Sequence, residues 1–67
     1  RMAANMFMSQ REQWYLTQVR QVGLRLGDSP ELSQLCQAAY EDYRQGLLSA
    51  AAYNTIQALC VDLAYPH

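Results

Sequence analysis

The stretch Asp28-Ser29-Pro30-Glu31-Leu32-Ser33-Gln34-Leu35-Cys36-Gln37-Ala38-Ala39-Tyr40-Glu41-Asp42-Tyr43-Arg44-Gln45-Gly46 reads as one complete helix with its own start and stop. Ser29 can cap the free amides of the first turn, Pro30 stands where its missing N–H costs nothing, and Glu31 meets the positive end of the helix dipole. Leu32, Leu35, Cys36, Ala39 and Tyr43 recur at spacings of three and four and so share a face, with Tyr40 on its flank. Gln34, Gln37, Glu41, Arg44 and Gln45 cover the other side, and Gly46 supplies the stop. A single apolar stripe of this kind has to be laid against another element.

Working downstream, Gly46-Leu47-Leu48 is a short connection, and Ser49 can cap a third helix that runs to about Ala64, with Pro66 just past its end. Leu48 and Tyr53 have the spacing of a hydrophobic staple. The main stripe is Ala52, Tyr53, Ile56, Leu59, Cys60 and Leu63. The reverse side carries Ala51, Ala58, Val61 and Tyr65 with only Asn54, Thr55, Gln57 and Asp62 nearby. A helix that is apolar around most of its circumference is normally covered on more than one side.

Upstream, Ser9-Gln10-Arg11-Glu12 is a capping box and Gly27 a left-handed stop. Between them Tyr15, Leu16, Val19, Val22, Gly23 and Leu26 form the core face. A mid-helix glycine costs about 1 kcal/mol against alanine, so at Gly23 either the helix ends or another backbone approaches closely.

Short connections force neighbouring helices antiparallel. The expected fold is therefore all-α, a helical hairpin or small up-down-up three-helix bundle completed by dimerisation. It forms one domain over 9–67, with helices at about 9–26, 30–45 and 50–64. Residues 1–8 are expected to be a flexible segment or a cloning remnant, because Arg1 precedes Met2 and Asn5 interrupts the apolar run, and no secretion leader is expected there.

Composition narrows the function. The chain has 67 residues, 51% of them hydrophobic and 16% charged, with a formal net charge of −1. Membrane-spanning, collagenous and highly charged disordered classes are thereby excluded. Below about 70 to 80 residues a core seldom supplies more than about 3 to 5 kcal/mol without a disulfide, a metal or a partner. A chain of this length therefore calls for one of the three.

Cys36 lies ten residues before Gly46 and Cys60 eleven after Ser49, so an antiparallel hairpin sets them at nearly the same height. They can be read as a disulfide or as two buried thiols acting as small hydrophobes. Ordinary interaxial spacings of about 8 to 10 Å and the expected lack of a leader favour the thiols. No cofactor or metal is expected: there is no paired cysteine or histidine motif, and the single histidine is His67. Glu41 and Asp42 diverge around their helix, and Asp28 and Glu31 sit at a helix start, so no acid–base pair converges and we expect no catalysis.

Helices two and three around Gly46 could imitate a helix-turn-helix, but the recognition helix would hold no arginine or lysine for phosphates. The five basic residues are scattered arginines, which makes nucleic acid an improbable partner. The surviving alternative is a small dimeric nucleic-acid-binding regulator that uses Arg11, Arg20 and Arg25 of the first helix.

The surplus apolar residues point elsewhere. With Tyr15, Val19, Val22 and Leu26 inward, helical geometry turns Gln10, Trp14, Thr17, Gln21 and Leu24 outward, with Arg25 beside them. Tryptophan and arginine are enriched at binding hot spots, so Trp14, Leu24 and Arg25 are the candidate partner-binding residues. Ala51, Ala58, Val61 and Tyr65 are the candidate self-association residues. The expectation is a non-catalytic protein–protein interaction module: a small cytoplasmic regulator, adaptor or chaperone-like subunit. It would act as a homodimer, with no membrane association.

Overall fold

A computed structural model describes residues 9–66 and contains three helices, α1 (Gln10–Leu26), α2 (Pro30–Arg44) and α3 (Ala50–Ala64), with no strand among the described residues. Each begins in the same way. The hydroxyls of Ser9, Ser29 and Ser49 accept from the amides of Glu12, Leu32 and Ala52 at 3.1, 3.2 and 3.0 Å. The chain enters each cap extended, so one donor of every first turn is satisfied before the helix propagates.

The turn after α2 is closed by two bonds. Leu47 N–H donates to Asp42 O at 2.8 Å and Gly46 N–H to Tyr43 O at 3.0 Å, the paired pattern of a Schellman stop. Gly46 has φ +81°, and a side chain there would meet nothing within 4 Å, so backbone conformation alone demands the glycine.

All three helices contribute to one core of Tyr15, Val19, Leu32, Ala39, Leu48, Ala52, Ile56 and Cys60, in which Val19 and Ile56 are fully enclosed. The bundle runs up, down and up: Leu63 near the end of α3 lies beside Gly23 and Gly27 at the end of α1. At Gly23 the helix does not stop. A side chain, rather than a second backbone, fills the space that glycine leaves, and α1 continues to Leu26.

Three expectations change. Leu26 lies 42% exposed because it is the last residue of α1, where the chain turns away at Gly27. Tyr43 is also exposed. Its position in the last turn of α2 carries it past the core and into an aromatic cluster beside the turn. Cys36 and Cys60 form a disulfide instead of remaining two thiols, with their Cα atoms 6.8 Å apart. Cα atoms stand about 2.3 Å off their helix axes, so two residues that face each other directly come within disulfide reach even at an ordinary interaxial spacing.

Candidate functional site

Two exposed faces hold the residues singled out in the sequence. On α3, Ala51, Ala58 and Val61 face outward together with Asn54, and Tyr65, the residue that caps the helix, is exposed just past its end. Their spacing, with Asn54 included, alternates three and four, which is the period of a helix-pairing seam. Val61 is 50% exposed and Tyr65 62%. Thr55 beside them donates its hydroxyl to the Ala51 carbonyl at 3.0 Å, which satisfies that group inside the helix. The carboxyl end of the seam borders a groove between α2 and α3. Leu32, Cys36, Cys60 and Ala64 line it, Val61 and Tyr65 form one lip, and Asp28 and Ser33 supply its polar rim. Thus Val61 and Tyr65 belong to both features, whereas Ala51 and Ala58 lie only on the seam.

On α1, Trp14 is 53% exposed and Leu24 71%, with Arg25 exposed beside it. Ten residues separate Trp14 from Leu24, about 15 Å along the axis, and the exposed polar side chains of Thr17 and Gln21 stand between them. The two are ends of a seam and not one patch. Trp14 meets Tyr15 edge-on at 5.1 Å and, with Gln10 and Arg11, borders an open recess at the start of α1.

That recess rests on a polar junction that the sequence argument missed. Asp42 Oδ2 accepts from the Tyr15 hydroxyl at 2.7 Å and from Arg11 Nη1 at 3.0 Å, which ties the start of α1 to the end of α2. Burial, followed by the hydrogen bond to Asp42 and its charge, pushes the Tyr15 phenol up to about 12. Arg11 is thereby committed to a partner, while Arg20 and Arg25 are exposed. Asp42 stands three residues past the buried Ala39 and so ends the inward row of Leu32, Leu35 and Ala39; an acid at that position has no local explanation, and only the neighbouring helix reveals its role.

An aromatic cluster at the α2–α3 turn was also missed as a group. Tyr40, Tyr43 and Tyr53 lie within 5.2 to 6.3 Å of one another, centroid to centroid. The signal was available in the hairpin register: Tyr43 and Tyr53 are centred on Leu48, as are Cys36 and Cys60.

Among the described residues no three or more His, Cys, Asp or Glu side chains gather as a metal site would require. No described helix is long and apolar enough to cross a membrane. No protein-family model, curated protein or solved structure matches this chain.

Proposed function

We propose that this chain is a non-catalytic protein–protein interaction module that pairs with a second copy of itself through the outer face of α3. The observation that carries this reading is the makeup of α3. Asp62 is its one charged residue, its inner face is in the core, its outer face presents Val61 to solvent, and Tyr65 at its C-cap is exposed beside it. A two-fold pairing would bury the same seam on both copies.

Magnitudes set the expected strength. Fully burying a Val- or Leu-sized side chain returns about 1.5 to 3 kcal/mol, and two half-exposed residues on each of two copies recover roughly 3 to 6 kcal/mol. Association costs at least about 4 kcal/mol. Val61 and Tyr65 therefore do not hold a dimer by themselves, and a stable pairing must also bury the exposed Ala51 and Ala58 of the same seam. Trp14, Leu24 and Arg25 remain open in such a dimer as the surface for a further protein, which is the regulator, adaptor or chaperone-like role. The nucleic-acid alternative is less well supported, since Arg11 of its three arginines is held by Asp42.

The cytoplasmic placement expected from the sequence stands against the Cys36–Cys60 bond. Structural disulfides persist in oxidising compartments and are rare in the cytosol of mesophiles, so the bond favours an oxidising compartment.

Sedimentation equilibrium over a wide concentration range tests the pairing. The wild-type mass should rise toward that of a dimer, and Val61→Glu should hold the chain at monomer mass with its helical circular dichroism intact. A wild-type chain that stays monomeric at every accessible concentration would refute it.

A further inference from the structure

The Tyr43 and Tyr53 rings stack across the α2–α3 turn with centroids 5.2 Å apart and planes inclined by 12°. Tyr40 lies at a similar distance, 5.7 Å from Tyr53 and 6.3 Å from Tyr43, but its ring is tilted by 55° and 44°. Neither the α3 seam nor the α1 seam uses these rings. Their arrangement bears on a specific reaction. A phenol that loses one electron and its hydroxyl proton becomes a phenoxyl radical, with spin on the ring carbons ortho to oxygen in a π orbital perpendicular to the ring. Two such radicals join through those lobes, so the new bond begins perpendicular to both ring planes. Nearly parallel stacked rings meet the orientation that this approach requires, and tilted rings do not; held reactants gain the advantage of an intramolecular step.

We propose that Tyr43 and Tyr53 form an oxidative modification site, where a peroxide-driven haem peroxidase joins them by an ortho carbon–carbon bond. Each phenol gives up one electron and one proton, and the two radicals couple. Each coupled ring carbon then releases its hydrogen, each oxygen regains one, and both hydroxyls are restored. The chain has lost two hydrogen atoms overall, and one hydrogen peroxide has become two waters. Tyr40 and Tyr43 are exposed to the oxidant. Tyr15 is buried and hydrogen-bonded to Asp42. Tyr65 has no aromatic neighbour among the described residues.

The product would tie the same two helices as Cys36–Cys60, about two turns further along α2. Both of these oxidisable pairs therefore close one hairpin, the disulfide in its middle and the tyrosine bond at its turn.

The test treats the full, disulfide-bonded chain at low concentration with a haem peroxidase and hydrogen peroxide. The disulfide is then reduced and the chain cut with trypsin, which cleaves after Arg44 between the two tyrosines. The expected results are dityrosine fluorescence, a monomer mass lower by two hydrogens, and joined peptides from either side of Arg44. Tyr43→Phe and Tyr53→Phe should each abolish that intramolecular product, while Tyr40→Phe should retain it. Phenylalanine keeps the rings packed, and circular dichroism verifies the fold of each variant. The proposal is overturned by cross-links only between chains, by loss of the product in Tyr40→Phe with retention in Tyr43→Phe, or by an equal intramolecular yield from the wild-type chain unfolded in urea.

Discussion

Leu63 packs its side chain into the notch left by Gly23: a methyl group at position 23 would lie 2.5 Å from Leu63 Cδ1 and 2.7 Å from its Cβ. Two effects oppose each other in Gly23→Ala. Helix propensity gains about 1 kcal/mol, while overpacking costs about 1 to 3 kcal/mol. Because the clash reaches the Leu63 Cβ and not only its flexible end, α1 and α3 must separate, and the steric cost should win. Urea denaturation should show a lower midpoint for Gly23→Ala, and the drop should be smaller when the same change is made in a Leu63→Ala background, where the Cδ1 contact is gone. A more stable single variant would contradict this packing.

The Cys36–Cys60 bond closes a loop with a sequence separation of 24. Loop entropy assigns such a link about 3.5 kcal/mol, comparable to the whole stability expected of so small a core. Alanine suits the test because Cys60 is buried and a hydroxyl there would be left without a partner. The double variant Cys36→Ala, Cys60→Ala should lose most of its denaturant resistance, as should the wild type under reductant. An unchanged midpoint would show that the bond contributes no stability.

Tyr15 provides an alkaline signature. Its phenol titrates near 12 in the fold against 10.0 for a free tyrosine, so the unfolded chain releases this proton first. The stabilisation is fully present below pH 10 and is lost as the pH rises from 10 toward 12. Ultraviolet titration should show one late phenolate step, absent in Tyr15→Phe, and unfolding midpoints should fall across that window less steeply in the variant. If all steps coincide near 10, the Tyr15–Asp42 bond does not hold the proton.

Trp14 reports which face pairs. It is the chain's single tryptophan and lies half exposed on α1, whereas the proposed self-association seam is on α3. Iodide quenching of its fluorescence should therefore stay constant while sedimentation shows the mass rising with concentration. Protection of Trp14 in step with dimer formation would move the interface to the α1 seam.

The helices and their ends were legible because their causes are local. Serine caps at positions 9, 29 and 49, glycines at 27 and 46, and stripes of period three to four act within a few residues of chain. Tyr43 and Leu26 show the limit of periodicity. Both lie on their helix's inward stripe in the sequence, yet each sits in a last turn, beyond the enclosed core: Leu26 opens to solvent, and Tyr43 is covered only in part, by the stacked ring of Tyr53. The register of Cys36 against Cys60 was also readable, but their bonding was not.

What the sequence alone determined is which segments coil, where they stop and which side of each is apolar, since backbone hydrogen bonding and side-chain period are short-range properties. Tertiary structure decided the rest. It set the direct facing of Cys36 and Cys60 across α2 and α3, the placement of Asp42 between Arg11 and Tyr15, the stacking of Tyr43 on Tyr53 and the seating of Leu63 against Gly23. Each of these depends on the distance and rotation between two helices, and those follow from how all the side chains at an interface fit at once.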